Sequence, residues 1–235
     1  MTLAVAALAV VVGAAAQSIS GIGFALVSGP LLFTVFGARE GVRVAVVLSM
    51  LVNIAVLTRE HRAVMWRRVL PVLVTALAVT PFLAHVLSGT HPRLLRGAAG
   101  AVIVLGAALV ASGRSVDLGL TGGVAAGVAS ATMNVLASAG GPAVAVYASG
   151  SRWDPDRLRA TLQAYFLALN VVTLLTLGPP NEPLTRLAVL AGALVVGAVL
   201  GARLAPRLPS NVARTATLVL AAAGGLAVLI SALAA

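Results

Sequence analysis

Two stretches of this 235-residue chain set glycines and small hydroxyls against a proline inside apolar surroundings. The first is Gly21-Ile22-Gly23-Phe24-Ala25-Leu26-Val27-Ser28-Gly29-Pro30, and the second is Ala137-Ser138-Ala139-Gly140-Gly141-Pro142. Proline suits the first position of a helix, where its missing N–H has no intrahelical partner. Each stretch therefore predicts a broken segment that restarts as a short helix, at 31–36 and 143–149. A helix start offers unpaired N–H groups and a partial positive charge, and the two together bind anions. Ser28, Gly29, Pro30 and Leu31 in the first stretch are candidate contacts, as are Ser138, Gly140, Gly141, Pro142 and Ala143 in the second. Asn53, Gln163 and Asn170 join them as amides within apolar runs. Further neutral donors are Gln17, Ser18, Ser20, Ser49, Ser130, Thr132 and Asn134. Such groups replace part of an anion's hydration shell and still release it, as permeation requires.

The carboxylates argue against cation chemistry. Glu40, Glu60, Asp117, Asp154, Asp156 and Glu182 all fall in or beside predicted connections, whereas a proton relay or cation site needs an acid in the interior. Absence of cysteine excludes disulfides, thiolate metal sites and thiol redox chemistry. No metal or cofactor is expected. A hydrolase would need Ser28 or Ser138 beside a base, and only His85 is a candidate for that role. A non-transporting scaffold would have no use for paired helix breaks.

These residues are held by a chain that is 60% hydrophobic and 9% charged, with mean hydropathy +1.07. Apolar runs wide enough for a hydrocarbon core of about 30 Å recur from end to end. The fold class is all-α integral membrane, with segments 2–16, 18–37, 41–57, 69–88 and 94–112, then 118–135, a broken stretch ending at 149, 158–177, 186–205 and 212–233. In lipid, broken backbone is tolerated only when buried in protein or lining a watery cavity. Ala14-Ala15-Ala16 resembles a signal-peptide cleavage site, but no basic residue precedes it, so a retained first helix is expected.

The net charge of +10 comes from arginine alone. The arginines sit in short connections with no aromatic interleaving, so bilayer contacts account for them and nucleic acid does not. Eleven of the sixteen fall on the side holding 59–68, 114, 150–159 and 203–214, which makes that side cytoplasmic and the protein a multi-pass inner-membrane one. Trp66 and Trp153 are expected at headgroup depth.

The two series resemble copies. Ser18, Ala25, Gly29 and Pro30 match Ser130, Ala137, Gly141 and Pro142 at a separation of 112, while Asn53 and Asn170 match at 117. One insertion in the loop 150–157 would reconcile the two separations. The repeats are 1–115 and 116–235, each of about five helical segments with broken or short helices in the first two. Five segments per copy make the repeats inverted, a plan that recurs in secondary transporters.

With these motifs, the chain resembles the sulfite exporter TauE/SafE family of permeases. The likeness rests on Gly21-Ile22-Gly23-Phe24 running to Gly29-Pro30, on Gly140-Gly141-Pro142, and on Arg159-Ala160-Thr161 after the basic loop. It implies a helical bundle of two similar halves that moves sulfite, an organosulfonate or a related sulfur-containing anion. A carrier and a channel for small oxyanions or carboxylates would share these motifs. Coupling to a proton or sodium gradient and pairing into a homodimer are compatible with such a carrier, and no residue pattern selects either.

Overall fold

The computed structural model describes residues 2–20, 23–115 and 119–234. Gly21, Ile22 and Asp117 lie outside the described residues. The described chain forms helices α1 (Thr2–Ser20), α2 (Phe24–Phe36), α3 (Ala38–Glu60), α4 (Trp66–Ser88) and α5 (Pro92–Ala111). They are followed by α6 (Gly119–Ala137), α7 (Gly141–Gly150), α8 (Pro155–Leu177), α9 (Leu184–Leu204) and α10 (Ser210–Ala234). Seven of them, α3 to α6 and α8 to α10, are long and apolar enough to cross a membrane. The protein is an all-helical, multi-pass membrane protein. Its outward faces agree: Phe82, Leu105, Leu175, Leu184 and Ile230 are exposed, an arrangement stable against lipid and not against water.

Two helices are too short to cross. At 1.5 Å per residue, the ten residues of α7 rise about 15 Å and the thirteen of α2 about 20 Å. Their starts differ from expectation in one respect. The second motif restarts as predicted, with α7 opening at Gly141 and Pro142 in its first turn. The first does not restart at Leu31, because α2 already begins at Phe24 and Pro30 lies inside it. The break falls instead at Gly23, whose φ of 125° suits a residue without Cβ. Pro30 is tolerated mid-helix because it packs on α10, where a Cβ on Gly224 would stand 2.8 Å from Pro30 Cγ.

This moves the register of the two halves. The bounds of α1 recur in α6, and those of α3 in α8, at a constant displacement of 117 residues, and the α2 and α7 starts keep it too. The Gly-Pro match at 112 and the insertion in 150–157 are therefore corrected. Gly23 corresponds to Gly140, Gln17 to Asn134 and Asn53 to Asn170.

Packing follows the same correspondence. α1 lies on α9 and α6 on α4, α2 touches α10 and α7 touches α5, and α3 crosses α8 while α5 packs on α10. The last two pairs run antiparallel. Glu40 at the start of α3 accepts from the Asn181 N–H beyond the end of α8, and Arg157 Nε near the start of α8 donates to the Ala63 carbonyl beyond α3. Arg93 at the start of α5 donates to the Ala232 and Leu233 carbonyls, and Arg214 near the start of α10 to Val110. Glycines allow the closest approaches: a Cβ on Gly197 or Gly201 would come within 2.3 or 2.6 Å of the α1 backbone, and one on Gly127 within 2.7 Å of α4.

Arginines on the sparser side have structural work. Besides Arg93, Arg39 Nη2 donates to the Leu87, Ser88 and Thr90 carbonyls at the end of α4, a cationic cap on orphan carbonyls. Two apolar clusters flank the middle of the molecule. One is built around Phe33, Leu48 and Ile103, the other around Tyr165, Leu169 and Trp153. Trp153 is buried with its ring edge-on to Tyr147, because the turn after α7 folds inward, whereas Trp66 is exposed.

Candidate functional site

Between the clusters, the starts of α2 and α7 open onto one cavity of about 80 Å³. One water needs only about 10–15 Å³ on the same measure, so the cavity has room for a small oxyanion. The wall includes Gly23 to Leu26 from the first break and Ser138 to Pro142 from the second. The remaining wall comes from α1 (Gln17), α3 (Ser49, Val52, Asn53), α6 (Asn134) and α8 (Arg159, Leu162, Gln163, Phe166, Asn170).

Each break is held by a side chain. Gln17 Oε1 accepts from the Phe24 N–H at 3.1 Å, capping α2 from the preceding helix. The N–H groups of Ala25 and Leu26 follow in the first turn, where a helix has no acceptor for them. Across the cavity, Ser130 Oγ donates to the Gly140 carbonyl at 2.8 Å and fixes the entry to α7. No side chain fits at Gly140, where a Cβ would meet Ser130 Oγ at 2.6 Å.

Ser138 terminates α6 in a left-handed conformation, φ 53°. Its N–H donates to Asn134 O at 2.7 Å and the next N–H reaches back to Met133 O at 3.3 Å, a helix end that normally recruits glycine. The hydroxyl is buried, 7% exposed for the residue, and has no hydrogen-bond partner. A strained backbone and an unsatisfied buried donor at one residue are unfavourable on both counts, and such residues gather at ligand sites. Ser138→Gly is therefore expected to stabilise the protein by about 1 kcal/mol, read as a rise of about 2–4 °C in melting temperature. The same change should weaken anion binding about tenfold, the loss of one hydrogen bond to a charged group.

The amides form a directed chain. Asn134 Nδ2 donates to Asn170 Oδ1 at 3.2 Å and to Thr173 Oγ1 at 3.0 Å. Oriented by its neighbours, Asn53 accepts from Asn170 Nδ2 and from the Leu167 N–H, both at 3.2 Å. It donates to the Ser49 carbonyl at 3.1 Å and to Gln163 Oε1 at 2.6 Å. Every donor and acceptor of the Asn53 amide is used. Because Gln163 Oε1 is committed to Asn53, the chain ends in the Gln163 amino group, which can only donate. Successive bonds of such a chain polarise one another in the same sense.

Of the residues expected from sequence, Asn53, Ser138, Gly140, Gly141, Pro142, Gln163 and Asn170 come together on the cavity wall. Ser28, Gly29, Pro30, Leu31 and Ala143 do not line it. Ser28 is buried against α1 and donates to the Phe24 carbonyl at 2.6 Å, Gly29 lies under the Phe33 ring, and Leu31 is exposed. The physical reason is the early start of α2, which places these four residues beyond its first turn. Ala143 is buried one residue past the wall.

Arg159, which follows the basic loop, joins them on the wall. It lines the cavity mouth from the first turns of α8, with Nε 3.9 Å from Glu60 Oε1 and about half of its side chain exposed. It stands one helical turn before Gln163, so a face shared with Gln163 was the signal available. The cavity thus offers helix starts, a hydroxyl, an amide donor and one cation, and among the described residues no carboxylate lines it.

The description "Sulfite exporter TauE/SafE" is the one whose family profile matches the chain, over residues 5–228. The chain belongs to this family. The match runs from within α1 to within α10, so every residue named on the cavity wall falls inside it. Membership makes the protein a transmembrane transport permease. No curated protein and no solved structure matches the chain.

Proposed function

We propose that this protein is a secondary carrier of the cytoplasmic membrane for a small sulfur-containing anion, sulfite or an organosulfonate. One observation carries the reading: two helix starts and the donor end of an amide chain converge on a single small cavity beside Arg159. All of these groups favour negative charge. The family description names sulfite, and a cavity of 80 Å³ suits an ion of that size.

The halves are read as inverted copies. The constant displacement supports this, as do the antiparallel α3/α8 and α5/α10 pairs and the hydrogen bond joining the equivalent residues Asn53 and Asn170. A pseudo-twofold axis in the membrane plane would pass between those two amides, where such carriers hold substrate. The arginine-rich side, which includes Arg159, is cytoplasmic. The opposing Arg39 and Arg93 weigh little in that count because they cap helix ends.

Two measurements test the reading. Sulfite should raise the melting temperature of the purified protein, by the amount corresponding to about 2.7 kcal/mol at a hundredfold excess over its dissociation constant. Sulfate, thiosulfate, sulfonates and carboxylates run alongside then rank the substrate. Labelled sulfite should exchange into proteoliposomes loaded with unlabelled sulfite. No shift with any anion and no exchange would remove the proposal.

A further inference from the structure

We propose that a second anion subsite, facing the outer side, lies at the far end of the same pathway in the pocket of about 130 Å³ lined by Arg39, Arg43, Ser88 and Thr176. It rests on the carrier reading above and adds to it the place where the cargo is released. Two helices connect the pockets. Along α3, Arg39 and Arg43 line the outer pocket, and Ser49 and Asn53 line the central cavity. Along α8, Arg159, Gln163 and Asn170 belong to the central cavity, and Thr176 to the outer pocket.

Between the two sets, α3 carries only apolar side chains. Val44, Val46 and Leu48 of α3 are fully buried, and Leu174 of α8 packs in the same apolar cluster. An anion crossing such a barrier needs positive charge on its far side. Arg43 supplies it, with a side chain three-quarters buried and, among the described residues, only Nη1 engaged, 3.3 Å from Glu40 Oε2. Arg39 stands one turn away on the same face. Its Nη2 caps α4, which leaves the rest of the guanidinium for a ligand. A planar guanidinium matches an oxyanion with two parallel hydrogen bonds. Glu40 is the means of release, since it recaptures Arg43 as the anion departs. The ligand is the same small oxyanion that the central cavity takes.

The test compares half-saturation for labelled sulfite from the two faces, using right-side-out and inverted membrane vesicles. The double variant Glu40→Gln/Arg43→Gln removes the ion pair as a unit. Half-saturation at the outer face should rise about tenfold, with the inner-face value unchanged, which also certifies the fold. Arg43→Lys, which keeps the charge and loses the paired hydrogen bonds, should fall between wild type and the double variant at that face. Unchanged values at both faces, or an equal rise at both, would overturn the subsite while leaving the carrier intact. Wild-type vesicles that move no sulfite would overturn the carrier reading and the subsite with it.

Discussion

Gln163→Glu is expected to abolish sulfite transport, by at least about a hundredfold, in a protein that remains folded. The substitution is isosteric, and one carboxylate oxygen still accepts from Asn53, 2.6 Å away in the native protein. The other oxygen replaces the amino group that ends the amide chain. A donor to the substrate becomes a fixed negative charge where two helix starts and Arg159 favour an anion. The side chain then acts as a tethered competitor. Stability should hold or rise, and the melting-temperature response to sulfite should vanish. Gln163→Leu separates the two effects, since it removes the donor without adding charge and should weaken binding only about tenfold. Equal losses from both variants would mean that the added charge does not compete with the anion, and no loss from Gln163→Leu would mean that the amide has no part in recognition. Asn53 then comes in as a positioning residue: its amide sets which end of Gln163 faces the cavity.

The membrane fold was legible because hydropathy and arginine placement are local properties of the chain. The separation of 117 between Asn53 and Asn170 is also the displacement between the bounds of α1 and α6 and those of α3 and α8. The Gly-Pro pair misled for a physical reason. A proline does not mark a helix start in a membrane protein when a neighbouring helix can accommodate it, and Gly224 of α10 does so for Pro30. What marks the two breaks is a residue of unusual backbone conformation, Gly23 before α2 with φ 125° and Ser138 after α6 with φ 53°. Only the first is a glycine, so composition could not reveal the pair. The direction of the amide chain was equally hidden, because it depends on which side chains from α3, α6 and α8 meet across the crossing.

Arg159 and Glu60 give a prediction in which two substitutions act with opposite sign. The pair is wide, 3.9 Å, and both side chains are partly exposed, so its net strength is small, about 0–1 kcal/mol. An arriving anion can therefore take Arg159 from Glu60 without a large penalty. Arg159→Gln removes the only charge that the described residues place on the cavity wall. Half-saturation from the arginine-rich face should rise about tenfold at low ionic strength, and the difference should shrink toward twofold near 1 M salt, where the screening length is about 3 Å. Glu60→Gln leaves Arg159 without its competitor, so half-saturation should fall, by about threefold, with the same salt dependence. The maximal rate should fall as well, because a cargo held more tightly at the mouth leaves more slowly. Counterflow of labelled sulfite, measured in both variants across a series of gluconate concentrations, reads all three quantities. A shift in the same direction from both variants would assign the pair to fold stability alone. Opposite shifts make Glu60 the group that keeps the mouth from trapping the ion it attracts.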